Sequence, residues 1–247
     1  MRSETRPWKT GFWIVASLCC AIVAADASAQ VVITANDGNA KMVAGKIEVV
    51  VDGPNTLSII DTSAVPPNVT TVEGVENSLY GPPTNIGVTP DERLALVAEA
   101  MHVGEKEGKP AFVQSNIVHV IDLKADPPQE IGTVEVGLQP SGIGVSPDGK
   151  IALVCNRAAN SMSVLSIEGT TVQNIGTVDM GDSVTDVAFT PDGRTALATK
   201  FMKGHVAIIA VDGTQVTYTG QDIPVGLYPY SLSIAPDGTL ALVPNMG

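Results

Sequence analysis

The chain has 247 residues, with 14 Lys and Arg against 26 Asp and Glu, for a formal net charge of −12 at pH 7. A surface of that sign repels phosphate backbones, which excludes nucleic acid as a partner. Both Trp and two of the three Cys occur by residue 20, so the remainder holds Cys155 alone and has no intramolecular disulfide available to it.

Arg2, Arg6 and Lys9 precede an apolar run from Phe12 to Ala25, and Ala27-Ser28-Ala29 stands before Gln30 as a small-residue cleavage site. This predicts a secretory signal peptide over residues 1–29. The apolar run of about 14 residues is shorter than the roughly 20 that span a bilayer, so no membrane span is expected once the signal is removed. Cys19 follows Leu18 rather than the small residue expected before a lipidated cysteine. The mature protein is therefore expected in the periplasm or outside the cell. Export also leaves it without Trp, which excludes WD-type propellers and the quinone-cofactor propellers whose blades carry Trp motifs.

Residues 30–80 read as an irregular first blade. Val31 to Gly38 has the pattern of a second strand and its exit, Leu57 to Thr62 that of a third strand, and Val69 to Val72 that of a fourth. Lys46 to Val51 followed by Asp52-Gly53-Pro54 adds a strand and turn between them. The sequon Asn68-Val69-Thr70 carries meaning only in a host that glycosylates.

From here a unit repeats: Thr89-Pro90-Asp91-Glu92, Ser146-Pro147-Asp148-Gly149, Thr190-Pro191-Asp192-Gly193 and Ala235-Pro236-Asp237-Gly238, with prolines spaced by 57, 44 and 45 residues. Pro presets φ for the turn, Asp bonds the local backbone, and Gly takes the left-handed position. Glu92 replaces Gly in the first copy, where a looser turn is expected because a side chain in left-handed space costs roughly 1 kcal/mol. An apolar run enters each turn (Ile86–Val88, Ile143–Val145, Val187–Phe189, Leu232–Ile234) and another leaves it (Leu94–Val97, Ile151–Val154, Thr195–Ala198, Leu240–Val243). The outgoing runs are almost continuously apolar, the mark of a strand covered on both faces. Third strands (Ile117–Asp122, Met162–Ser166, Val206–Ala210) and fourth strands (Ile131–Val136, Val172–Val178, Val216–Tyr218) complete each unit. Met101 to Pro110 accounts for the long first interval, as a solvated hairpin or a lid over the channel mouth.

Four strands in about 45 residues, repeated radially, make an all-β chain: a β-propeller of four-stranded antiparallel blades. The expected units are residues 30–80 (irregular first blade), 81–138, 139–182 and 183–228 (blades) and 229–247 (half blade), about four and a half blades of an incomplete ring. Such a chain is expected to be a fragment, since an open array exposes unpaired edges.

The Pro-Asp-Gly turn, the strand Leu153-Val154-Cys155-Asn156, then Ser163-Val164-Leu165-Ser166 and Gly176-Thr177-Val178, resemble the YVTN-type β-propeller repeat of the lactonase-like seven-bladed group. The resemblance covers the mature chain, best from Gly81 onward. Asn156 and Asn245 keep the repeat's Asn, whereas Thr195 to Thr199 lacks it.

Self-sufficient catalytic signatures are absent: no Cys-x-x-Cys-His, His-Glu-x-x-His, Gly-x-Ser-x-Gly or phosphate loop occurs. Propeller geometry instead gathers loops at one end of the channel, opposite the Pro-Asp-Gly turns. Incoming loops would supply Tyr80, Gln139, Asp182, Tyr228 and Tyr230, and outgoing loops His102, Asn156, Arg157, Asn160, Lys200, His205 and Asn245. His119 is expected as a packed or edge histidine within a strand.

Three functions follow. The first is a binding module that takes a protein, glycan or small molecule at the mouth. The second, implied by the resemblance, is a lactonase opening a ring ester, with His205 as base and Arg157 and Lys200 stabilising the oxyanion. The third is a structural envelope or surface protein. No cofactor is required by the residues themselves. The resemblance also brings in calcium, for which Asn156, Asp182 and Asn245 are the candidate ligands.

Overall fold

Each repeated turn closes as its residues dictate in the computed structural model, which describes residues 31–79 and 84–247. The amides of Gly149 and Gly193 bond back to the carbonyls of Ser146 and Thr190 at 2.9 Å, and the Asp side chain caps the loop. Thr89, Ser146 and Thr190 donate their hydroxyls to Asp91, Asp148 and Asp192 at 2.6–2.7 Å. The same carboxylates accept the amides of Arg93, Lys150 and Arg194 at 3.1 Å. These hydroxyl bonds, with the backbone bonds, hold the three carboxyls below the usual carboxylate range. The first turn is not looser than the others. Glu92 takes φ 53° and its amide bonds Thr89 at 2.8 Å, because the bonds around Asp91 outweigh the cost of a left-handed side chain.

The turns join strands into sheets of sequential antiparallel order. The first sheet is β1 (Val31–Asn36), β4 (Thr56–Asp61) and β5 (Asn68–Glu73), with β2 (Ala40–Val43) and β3 (Lys46–Val49) a separate hairpin between β1 and β4. Three four-stranded blades follow. They are β6 (Ile86–Val88) to β9 (Gln129–Glu135), β10 (Pro140–Val145) to β13 (Thr171–Asp179), and β14 (Val184–Phe189) to β17 (Gln215–Pro224). Within them lie β7 (Leu94–Lys106), β8 (Lys109–Asp122), β11 (Ile151–Asn156), β12 (Ser161–Glu168), β15 (Thr195–Lys200) and β16 (His205–Asp212). A pair, β18 (Ser233–Ile234) and β19 (Ala241–Leu242), comes last. The described residues thus form part of a β-propeller. None of their helices is long and apolar enough to cross a membrane. The signal segment lies outside the described residues.

The core is a series of layers between neighbouring sheets, and the second strand of each blade feeds two of them. Ala152 and Val154 pack back against Leu96, Ala98 and Val120, while Leu153 and Cys155 pack forward against Val187, Ala198 and Ile209. This is why the second strands are apolar at consecutive positions rather than alternate ones. First strands converge around the axis, where space is shortest. A Cβ on Gly144 would stand 2.7 Å from the carbonyl oxygen of Val187 in the next blade. Ser141 Oγ donates to Thr185 O at 2.8 Å, and Thr185 Oγ1 to Pro229 O at 3.2 Å, so β10 is tied to β14 and β14 to the segment that precedes β18.

The insertion is a hairpin rather than a lid loop. β7 and β8 run on past the blade, with a one-residue register shift between Glu99 and Met101, to a tight turn at Glu107 (φ 54°) and Gly108 (φ 74°). The β2–β3 hairpin, turning at Ala44 (φ 48°) and Gly45 (φ 78°), lies beside it, with Ile47 and Phe112 facing a shared groove. Both hairpins link a second strand to a third, so both rise from the channel-mouth end.

Candidate functional site

One position recurs at a fixed distance from every turn, along or just beyond the second strand. Glu99, Asn156, Lys200 and Asn245 each follow the last residue of their turn by seven, and Asn36 is matched to them by its pairing with Thr56. Asn36 Nδ2 donates to Thr56 Oγ1 at 3.1 Å and Ser58 Oγ at 3.0 Å. Asn156 does the same, to Ser161 Oγ at 3.1 Å and Ser163 Oγ at 3.0 Å. The amide therefore locks the second strand to the third, a structural role.

The exceptions carry charge. Lys200 pairs with His205 where Asn156 pairs with Ser161, Ala207 occupies the position of the amide's second acceptor Ser163, and the longer side chain crosses to the outer strand. Lys200 Nζ donates to Tyr218 OH at 3.0 Å and Asp222 Oδ2 at 2.9 Å, and Tyr218 OH donates to Asp222 Oδ1 at 2.7 Å. Burial opposes its charge, but these bonds outweigh it and hold the ammonium above its ordinary value. Glu99 stands beside His119, whose Nε2 lies 3.0 Å from Glu99 Oε2 and whose Nδ1 lies 3.1 Å from Glu130 Oε1. Two carboxylates on the two ring nitrogens select the doubly protonated imidazolium. Burial works against both charges. The bonds to Glu99 and Glu130 prevail and raise His119, while those from His119 and Ser115 lower Glu99.

The next residue along, Arg157 or Phe201, turns over the mouth. Its backbone is stitched to the incoming loop of the same blade: Arg157 N bonds Gln139 O at 3.0 Å, and Phe201 N bonds Ser183 O at 2.8 Å. Because the stitches repeat, side chains one blade apart come together. The Arg157 guanidinium carbon lies 5.7 Å from the Phe201 ring centre and 5.9 Å from that of Tyr230. Phe201 in turn meets Tyr228 at 5.1 Å and Tyr230 at 5.9 Å, the latter edge-on. Leu138, Met202, Leu227, Tyr228 and Met246 stand exposed in the same loops.

Among the residues expected at the mouth, Arg157, Tyr228 and Tyr230 are brought together, with Gln139 beside them holding the Arg157 amide. Tyr80 lies outside the described residues. Asn160 serves the β11–β12 turn at φ 51°, its carbonyl accepting from Met180 N at 3.0 Å.

His102, expected in a loop, is a strand residue of β7 with Nδ1 at 3.0 Å from Glu99 Oε1, because the insertion extends the ladder. His205, likewise expected in a loop, opens β16, and its Nδ1 lies 2.6 Å from Lys203 O. Lys200 is only 2% exposed and turned to the outer strands, away from Arg157's ring contacts. Of the expected catalytic set, Lys200 and His205 are paired across β15 and β16, while the Lys200 ammonium is bonded to Tyr218 and Asp222.

The calcium candidates each carry local hydrogen bonds. Asp182 spends one oxygen on Ser183 N at 2.8 Å and the other on Lys203 N at 2.9 Å. Asn156 donates its Nδ2 to Ser161 and Ser163 while its Oδ1 is buried without a partner, and Asn245 Nδ2 bonds Val243 O. No cluster of His, Cys, Asp and Glu suited to a metal occurs among the described residues.

Three participants escaped the sequence. Phe201 belongs to no motif, but it aligns with Arg157 once the repeats are registered, and that alignment was the available signal. Glu99 shows in the same alignment as a carboxylate where Asn is usual. Asp186, in β14, is 4% exposed and accepts Val187 N at 2.9 Å and, from the following sheet, Leu232 N at 2.8 Å. Burial raises its carboxyl to about 6 despite those bonds. Burial likewise pushes the Cys155 thiol up, leaving it an inert core residue.

At the opposite end, a groove of about 350 Å³ runs between the Asp148 and Asp192 turns. A similar gap opens between the Asp91 and Asp148 turns. Its recurrence marks it as the wedge between diverging blades rather than a site.

The family described as "Lactonase, 7-bladed beta-propeller" matches residues 106–243, more than half of the chain. The chain belongs to that family. None of the curated proteins matches this lactonase-family propeller in sequence. Among solved structures it is similar to a functionally unknown protein from Desulfotomaculum acetoxidans, with TM-score 0.60 and 21% identity over 77% of this chain and 56% of the other. It is also similar to Kuenenia stuttgartiensis hydrazine synthase, with TM-score 0.51 and 25% identity over 70% of this chain and 45% of the other. The periplasmic gluconolactonase of Pseudomonas aeruginosa matches with TM-score 0.57 and 16% identity over 86% and 61%. The lactonase-family propeller thus spans between 45% and 61% of the length of these three neighbours. Likeness at such identities speaks to the fold, and a fold shared by such different proteins does not choose among activities.

Proposed function

We propose that this chain acts as an exported binding module that takes its ligand at the channel mouth. The observation that carries this reading is the convergence of Arg157, Phe201, Tyr228 and Tyr230 from separate loops into one cluster, with exposed Leu138, Met202, Leu227 and Met246 in the same loops. Aromatic and apolar groups around one cation make a contact surface suited to a small molecule, a glycan or a protein. A glycan and peptide array probed with the wild type and with the double variant Phe201→Ala, Tyr228→Ala tests it. Signals lost in a variant that keeps its melting temperature support the mouth as the site. Signals unaffected by the double variant refute it.

A second reading, hydrolysis of a lactone, is favoured by family membership and by the gluconolactonase among the structural neighbours. It asks for a general base near Arg157; His205, whose Nδ1 lies 2.6 Å from Lys203 O, would offer Nε2 for that role. Turnover of a panel of sugar lactones, with and without chelator, would decide. Activity abolished by His205→Ala in a folded protein favours the hydrolase; no turnover favours binding alone.

A further inference from the structure

Only two of the described Lys and Arg residues are withdrawn from full exposure, Lys200 and Arg157. They occupy adjacent positions of the repeat, one blade apart, and their surroundings differ. Lys200 has a carboxylate, Asp222, at 2.9 Å. Arg157 has none within ion-pair distance among the described residues, although the chain carries nearly twice as many acids as bases. Its Nε is buried without an acceptor. A buried donor on a charged group left without a partner is costly, and proteins seldom retain one without a use.

The site around it is built. The Arg157 and Ala158 amides bond Gln139 O at 3.0 Å and Leu138 O at 3.2 Å, which fixes the backbone. Phe201 and Tyr230 hold the guanidinium by their rings, and Tyr228 stands exposed against Phe201. Rings on a guanidinium leave its N–H fork free in its own plane, the direction from which a carboxylate makes two parallel hydrogen bonds.

We propose that the mouth binds a small organic monoanion, a carboxylate carried on a flat ring. Its two oxygens engage the terminal N–H groups of the Arg157 guanidinium, and its ring stacks against Tyr228. One guanidinium with no second cation in its cluster neutralises one negative charge. In a protein of net charge −12, a dianionic phosphate would keep an uncompensated charge there. This rests on the reading of the mouth as a binding site and adds the class of ligand.

The test is a ligand-observed NMR titration of the full chain with benzoate, with benzamide as its neutral isostere and phenyl phosphate as a dianion. Benzoate is expected to bind at least tenfold more tightly than benzamide and to weaken as NaCl is raised. Arg157→Gln, at unchanged melting temperature, should abolish that preference while leaving benzamide in place. Equal binding of benzoate and benzamide, both lost in Phe201→Ala, would overturn the charge assignment while leaving the mouth as a binding site. Tighter binding of phenyl phosphate than of benzoate would overturn the monoanion. Failure of all three probes to bind would overturn this proposal, and the glycan and peptide array then judges the broader reading separately.

Discussion

Gly137 lies against the buried amide of Asn156, so close that a Cβ on the glycine would stand 2.5 Å from both Cγ and Nδ2 of the asparagine. The same contact recurs between Gly226 and Asn245, at 2.7 Å from Cγ. Asn156 cannot retreat, since it is fully buried and bonded to Ser161 and Ser163. Gly137→Ala should therefore cost roughly 1–3 kcal/mol, as overpacking does. Gly176→Ala, where a Cβ meets nothing within 4 Å, should change stability little. Urea unfolding of both variants checks this, and adding Asn156→Ala should recover part of the Gly137 loss.

Asp186 makes stability fall as pH rises. Its carboxyl is pushed up to about 6 in the folded protein from an ordinary value of 3.8. The folded state thus favours the protonated acid, an advantage full below pH 3.8 and lost as pH climbs to about 6. The loss is on the order of 3 kcal/mol. Denaturant midpoints at pH 4, 5, 6 and 7 should show this decline, and it should flatten in Asp186→Asn.

The Glu99, His119 and Glu130 cluster imposes its own window. His119 is raised, so its contribution is full below its ordinary 6.5 and lost as pH rises through the higher folded value. Glu99 is lowered, so its contribution is full above its ordinary 4.5 and lost as pH falls through the lower one. Both act together between 4.5 and 6.5. His119→Ala, which leaves buried Glu99 facing an absent partner, should cost about 3 kcal/mol at pH 5.5 and less at pH 9. Thermal melts of variant and wild type at the two pH values measure the difference.

Breaking the Lys200 network should depend on which member is removed. Asp222→Asn leaves a buried ammonium with Tyr218 alone and should destabilise by about 3 kcal/mol. Lys200→Met removes the charge itself and should cost less. Neither should alter ligand binding at the mouth, since Lys200 points to the outer strands. The melting temperatures and the binding titration of both variants check the two halves.

Glu92→Gly should stabilise the chain. Glu92 stands at φ 53° in a turn where the other copies place Gly. Its contact with Lys124, at 3.8 Å, is exposed and contributes little. A gain of up to about 1 kcal/mol is expected, visible as a higher urea midpoint.

The propeller was legible because its causes are local and repeated. Pro-Asp-Gly turns and twice-covered apolar strands state the same instruction several times, and each copy checks the others. Even the extra strand at Lys46 and the degenerate first sheet could be read from short patterns, though not the β2 strand that pairs with it. The site was legible only in part. Arg157, Tyr228 and Tyr230 could be assigned to one end of the channel, because strand order alone decides which loops gather there. Side-chain direction was another matter. Lys200 and Arg157 look equally available in sequence, yet one crosses its blade to Asp222 and the other turns over the mouth to Phe201. That choice depends on what stands opposite in space: Ala207 in place of a serine leaves room for a lysine to cross, and backbone stitches one blade apart bring a guanidinium beneath an aromatic ring. The sequence by itself determined the strands, their turns and their radial order, because those follow from residues near one another in the chain. The tertiary structure decided which polar groups meet, because their partners lie twenty to forty-odd residues away, on strands and blades brought together only by packing.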